Sequence, residues 1–116
     1  MEHPNEILLE NHETVTLLAI KGDITAFSET FLNDAYSKAN EKGTDRFLLQ
    51  FDPGAYINSG GIAVLIQLLA SSRKNNQIVG ITGLSDHFTK IFNMVGITKI
   101  AQIYPDTDAA LEGMKT

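Results

Sequence analysis

The sequence predicts an α/β fold, with a mixed sheet of four or five strands and about four helices. Three observations predict it. Strand-like and helical periodicities alternate along the chain. Glycine often falls where one period gives way to the next. The 116 residues, 43% of them hydrophobic, can bury one real core and predict one domain spanning residues 1–116.

Glu6 to Glu10 and Val15 to Ile20 read as strands, with Asn11-His12-Glu13 as the turn of a hairpin. The second strand ends on a continuous apolar run, the pattern of burial on both faces. From Ala26 to Lys42 the period changes. Phe31, Leu32, Ala35, Tyr36 and Ala39 share a helical stripe, and Gly43 suits the position just past the helix. Arg46 to Asp52 is a short strand closed by Pro53-Gly54. Ser59 to about Lys74 is an unusually apolar helix whose hydrophobic wall only Gln67 breaks, which predicts the best-buried helix of the fold. Arg73 and Lys74 at its end complement the helix dipole.

Gln77 to Thr82 reads as a further strand. Ser85 can cap a helix in which Phe88, Ile91, Phe92 and Val95 fall at i, i+3, i+4 and i+7, and Gly96 stops it. Lys99 to Tyr104 reads as a last strand. Asp106 can cap a terminal helix holding Ala109, Ala110, Leu111 and Met114. The order β-β-α-β-α-β-α-β-α predicts a mostly parallel sheet to which the hairpin adds one antiparallel pair.

Composition excludes several functions. Nine Lys/Arg against fourteen Asp/Glu give a net charge of −5 and a pI near 5.0. Nucleic acid and anionic membranes both reward basic patches, so neither is expected as the main partner. The longest strictly apolar run, Ile62 to Ile66, is far below the ~18 residues of a membrane span. With no cysteine there is no disulfide, thiolate nucleophile or Cys-ligated zinc. The N-terminus is acidic, with no signal-peptide core, so a cytoplasmic protein is expected. His3, His12 and His87 lie at a chain end, a turn and a helix start, where solvated histidines are expected. No nucleophile elbow appears, and Gly60-Gly61 is followed by Ile62-Ala63 rather than the Lys-Ser/Thr of a phosphate loop. The expectation is no enzyme, no metal and no cofactor.

One segment asks for more: Ala55-Tyr56-Ile57-Asn58-Ser59-Gly60-Gly61-Ile62. Local physics places Ser59 at the N-cap of the apolar helix. The two glycines each cost a helix about 0.8–1 kcal/mol relative to alanine. They make sense if a ligand approaches the backbone, or if tight packing excludes a side chain. The helix N-terminus favours an anion, and a phosphoryl group on Ser59 would add about −1.5 to −2 charges there.

From roughly Ile7 to Met114 the chain resembles a STAS domain, the fold of bacterial anti-sigma factor antagonists. The resemblance rests on the Ile20-Lys21-Gly22-Asp23-Ile24 strand end, the Phe47 to Asp52 strand, and above all Tyr56 to Ile62 leading into an apolar helix. Gly83-Leu84 and Met94-Val95-Gly96-Ile97 add to it. In that family the equivalent stretch usually reads hydrophobic-Asp-Ser-Ser/Ala-Gly-Leu/Val, and its first serine is phosphorylated by a partner kinase. That position falls on Ser59. The chain departs from the pattern at Asn58, where the family usually has aspartate, at Gly60, where it has Ser or Ala, and at Thr25, where an acidic residue is common.

The resemblance implies a partner-switching regulator without catalysis of its own. The unphosphorylated chain would bind an anti-sigma factor that is also a serine kinase, phosphorylation of Ser59 would release it, and a serine phosphatase would reset it. The alternative is a constitutive, unphosphorylated subunit of a larger complex, such as a lipid-transport ABC system. In open α/β sheets functional surfaces gather beyond the C-terminal ends of the parallel strands. The Asp23–Phe27 loop, the Asp52–Asn58 loop and the helix start are therefore expected to form the docking face. Asp23, Thr25, Asp52, Tyr56, Asn58, Ser59, Gly60 and Gly61 are its candidate contacts. Phe27, Tyr36, Tyr56 and Phe88 are candidate aromatic anchors.

Overall fold

The computed structural model describes residues 5–115; His3 lies outside them. The strands are β1 (Glu6–His12), β2 (Val15–Lys21), β3 (Arg46–Phe51), β4 (Ile78–Thr82) and β5 (Gln102–Ile103). The helices are α1 (Glu29–Glu41), α2 (Ser59–Lys74), α3 (Asp86–Met94) and α4 (Thr107–Met114). Short 3-10 turns cover Ala26–Ser28 and Ile97–Lys99. The element order is the expected one. The strands lie side by side in chain order, β1-β2-β3-β4-β5. β1 pairs antiparallel with β2 from Glu6↔Lys21 to His12↔Val15, and the other three pairings are parallel.

Several boundaries move. β1 runs on through Asn11 and His12, so the hairpin turn is Glu13-Thr14, with Glu13 left-handed at φ 57°. The expected first helix opens with the 3-10 turn, and the last strand keeps only two residues because Ile97–Lys99 winds into another.

Alternation along the strands splits the apolar side chains between two faces. Leu18 and Ile20 of β2, Phe47, Leu49 and Phe51 of β3, and Val79 and Ile81 of β4 face the main core with α1, α2 and α3. Val15, Leu17 and Leu48 face the other way, against Ala110 and Met114 of α4. Two side chains from β3 pin α4: Arg46 Nη1 donates to the Met114 carbonyl at 2.9 Å, and Gln50 Nε2 donates to Thr107 Oγ1 at 2.6 Å. That two-sided cover explains the continuous apolar run of β2.

α2 is not buried all round. Val64, Leu65, Leu68 and Leu69 face the core, while Ile66 is 38% exposed and Ala63 and Ala70 face solvent. In α3 the repeat likewise divides, with Phe88 and Phe92 buried and Val95, just past the helix, 47% exposed.

The strand ends are held by close backbone approach. A Cβ at Gly83 would lie 2.1 Å from the Phe51 carbonyl oxygen, and its φ is +89°, so only glycine fits where β4 leaves the sheet beside β3.

Phe92→Ala is expected to cost about 3–5 kcal/mol, whereas Val95→Ala should stay within about 0.5 kcal/mol. Urea denaturation of both variants measures the contrast, and equal losses would contradict this packing.

Candidate functional site

The loop after β2 and the loop after β3 are joined backbone to backbone. Ile24 N–H donates to the Tyr56 carbonyl at 2.9 Å, and Asn58 N–H donates to the Ile24 carbonyl at 3.1 Å. Ile24 and Ile57 form a parallel bridge, both fully buried. Two carboxylates extend this seam. Asp23 Oδ1 accepts from Tyr56 N–H at 2.8 Å, and Asp52 Oδ2 accepts from Gly22 N–H at 3.0 Å. Charged acceptors make the stronger class of hydrogen bond. Both acids therefore act here as braces of the loops.

Thr25 braces the turn that follows. Its Oγ1 accepts from Phe27 N–H at 3.1 Å, while its own N–H donates to Ser28 Oγ at 3.0 Å, a reciprocal capping box. Asn5 holds the same loop from the far side: its Nδ2 donates to the carbonyls of Lys21 and Asp23 at 2.9 and 3.0 Å.

α2 starts at this seam, and its N-cap is Asn58 rather than Ser59. Asn58 Oδ1 accepts from Gly61 N–H at 2.8 Å, and its carbonyl accepts from Ile62 N–H at 2.9 Å. Asn58 is extended, at φ −89° and ψ 178°, the backbone geometry of a cap, whereas Ser59 is already helical. The expectation that Ser59 caps the helix is thus corrected by one residue. Ser59 is the first helical residue and is exposed.

The glycine pair has a packing explanation. A Cβ at Gly61 would sit 2.2 Å from the Ile24 carbonyl oxygen, inside any allowed contact. At Gly60 it would meet Ala26 Cβ at 3.1 Å and Ala26 N at 3.2 Å. The first turn of α2 is pressed onto the backbone of residues 24–26, and that approach is what excludes side chains.

Of the four candidate aromatics, two are available as contacts. Phe27 is 64% and Tyr56 59% exposed. The Tyr56 ring meets Phe88 edge-on at 5.8 Å, which ties the loop after β3 to α3. Phe88 is buried, and Tyr36 packs on Phe47 in the core.

The structure therefore brings Asp23, Thr25, Asp52, Tyr56, Asn58, Ser59, Gly60 and Gly61 into one continuous backbone network or its immediate border. Sequence reasoning missed Asn5 and Ser28, and placed Ile24 in the loop without seeing its role in the seam. Their partners are carbonyls and N–H groups of other loops, which leave no mark in the residue pattern. Among the described residues no group of three or more His, Asp or Glu side chains is arranged to hold a metal ion. No described helix is long and apolar enough to cross a membrane.

The family model of the STAS domain matches residues 6–110. The chain belongs to the STAS domain family. No curated protein sequence matches the chain. Among solved structures, the Thermotoga maritima protein TM1081 superposes with a TM-score of 0.81 at 13% identity, covering 95% of each chain. An anti-sigma factor antagonist from Mycobacterium paratuberculosis gives 0.79 at 17% identity, over 97% of this chain and 95% of its own. The Bacillus cell fate determinant SpoIIAA in its phosphorylated form gives 0.65 at 12% identity, over 95% of this chain and all of its own. These identities show a shared fold. The five-stranded mixed sheet with four helices is the SpoIIAA-like STAS fold.

Two stability measurements follow from this STAS domain's helix start. Asn58→Ala should cost about 1 kcal/mol, the usual loss of an N-cap, and Ser59→Ala only a few tenths. The reverse order in urea denaturation would return the cap to Ser59. Gly61→Ala should cost on the order of 1–3 kcal/mol or more through overpacking against Ile24, seen as a lowered denaturation midpoint.

Proposed function

We propose that this STAS domain is a partner-switching regulator of the anti-sigma factor antagonist type, with Ser59 as its phosphorylation site. The observation that carries the reading is the division of labour at the start of α2. Asn58 takes the capping role, so Ser59 stays exposed as the first helical residue. A kinase can reach it without unwinding the helix.

Chemistry at that position supports a switch. The first N–H groups of a helix lack intrahelical partners, and the dipole places partial positive charge beside them. A phosphoryl group on Ser59 would be tolerated by the helix, so the domain would keep its shape. For a protein partner packed on Phe27, Tyr56 and the α2 start, the same group brings about −1.5 to −2 charges into the contact. Burying that charge unpaired is costly. The carboxylates of Asp23 and Asp52, each already bonded to a backbone N–H, would add like-charge repulsion.

In this reading Asp23, Thr25, Asp52, Tyr56, Asn58, Ser59, Gly60 and Gly61 form the docking surface or brace it. The unmodified domain binds an anti-sigma factor that is also a serine kinase, a serine phosphatase restores the hydroxyl, and the domain itself is no enzyme. All three act in the cytoplasm.

The test compares Ser59→Ala and Ser59→Asp as affinity baits in extract of the source cell, with bound proteins identified by mass spectrometry. Ser59→Ala should retain a kinase-like anti-sigma partner and Ser59→Asp should lose it by about tenfold or more. Aspartate in the first turn of a helix is stabilising by about 0.3–1 kcal/mol, so Ser59→Asp should unfold no earlier than the parent. Equal retention by both variants would overturn the switch.

A further inference from the structure

The sheet order leaves β1 at one edge. Edge strands are normally shortened, bulged or interrupted by proline or lysine, because a bare row of N–H and C=O groups recruits another strand. Charged side chains are a further such device, and charge, at Glu6 and Glu10, is the only one β1 carries. The strand is seven residues long, its register with β2 is unbroken, and Glu6–His12 contains neither proline nor lysine.

The hairpin fixes which backbone groups are free. A two-residue loop closes on a hydrogen-bonded pair, here His12 and Val15. Glu6, Leu8, Glu10 and His12 therefore spend their backbone groups on β2. Ile7, Leu9 and Asn11 turn theirs outward.

Side chains then select a register for a second, antiparallel copy of the same strand. Two-fold symmetry requires some residue to face its own copy. With Leu8 on the axis, Glu6 faces Glu10 of the second copy, twice over. With Glu10 on the axis, two Glu10 carboxylates meet. Like charges directly opposite are destabilising, so both registers are rejected. With Leu9 on the axis, Glu6 faces His12 and Ile7 faces Asn11. Leu8, 56% exposed on this edge, then faces Glu10 and lies diagonal to its own copy, while Glu6 and Glu10 of the two copies are moved from directly opposite to the same diagonal, about 7–8 Å apart. The outward groups of Ile7, Leu9 and Asn11 also fall opposite each other in hydrogen-bonded pairs.

We propose that β1 is a homodimerisation edge, joining two copies into one ten-stranded sheet with Leu9 opposite Leu9. The glutamates act as register selectors: Leu9 on the axis is the register that overlaps all seven strand residues without setting two carboxylates directly opposite, and it gives Glu6 a His12 partner. His12 Nε2 lies 3.2 Å from Glu10 Oε1 within its own chain, so the pairing would set each imidazole between two carboxylates. The groove between β1 and α1, lined by Ile7, Leu9, Phe31, Asp34 and Lys38 among others, borders the axis and offers both an acid and a base from each copy. The antiparallel arrangement would point the two Ser59 ends in opposite directions and leave both free. The inference rests on the sheet edge alone and owes nothing to the phosphoserine reading.

The test is sedimentation velocity on the full chain from about 5 μM to about 500 μM, since dimer population follows protomer concentration. The parent should shift from monomer towards dimer across that range. His12→Glu places like charges opposite each other at two symmetric sites and should weaken association about tenfold. Glu6→Lys combined with His12→Glu should restore it. Amide exchange should slow at Ile7, Leu9 and Asn11 with concentration but not at Leu8 and Glu10. A parent that stays monomeric, a His12→Glu variant that dimerises like the parent, or a charge swap that fails to rescue would each overturn the proposal. Circular dichroism of the variants separates lost association from lost folding.

Discussion

The first turn of α2 lies against the backbone of Ile24 with no room for a Cβ at Gly61, and the rest of the site follows from that contact. Two adjacent glycines in a helix cost about 0.8–1 kcal/mol each relative to alanine. What they allow is a backbone seam in which Ile24, Tyr56 and Asn58 exchange hydrogen bonds as a short parallel ladder. With the loops after β2 and β3 locked together, Asn58 is held extended and becomes the cap. Ser59 is displaced into the first helical position, where the residue is exposed. That exposure is thus a consequence of packing several residues away.

The sheet supplies the platform for that seam. β2, β3 and β4 run parallel and end together, so their following loops emerge at one end of the domain. Three helices cover one face and α4 covers the other, with Arg46 and Gln50 of the central β3 fastening its two ends. Glycine at 83 lets the chain leave β4 beside Phe51, and the contact of Tyr56 with Phe88 carries the brace onward to α3. A surface built this way is held from below by core packing and from the side by charged hydrogen bonds. On the proposed reading, it would accept a phosphoryl group on Ser59 without rearranging.

Much of this was legible in the chain. Strand and helix periods gave the element order, and Ser85 and Asp106 cap their helices as read, accepting from Phe88 N–H at 3.2 Å and Ala109 N–H at 2.8 Å. The segment from Tyr56 to Ile62 marked the site because glycines in a first turn are locally unfavourable. The choice between serine and asparagine as the cap was not legible. Both residues accept hydrogen bonds well, and the decision comes from Ile24, more than thirty residues earlier. The loop carboxylates are similar: their place beyond the strand ends made them candidate contacts, while their backbone partners show that they brace the loops. Asn5 was invisible for the same reason, since it binds two carbonyls across the hairpin. Exposure of Ile66 and Val95 was also hidden, because an apolar period gives a helix's direction but not the width of what covers it.

The central claim is that Ser59 is the modified residue of a preassembled surface. Intact-mass and phosphopeptide analysis of the protein purified from its own host, beside a Ser59→Ala control, tests it most directly. The account predicts one added phosphoryl group, mapped to Ser59 and absent from the control. An unmodified chain across growth and stress conditions, or a phosphate mapped elsewhere, would contradict it.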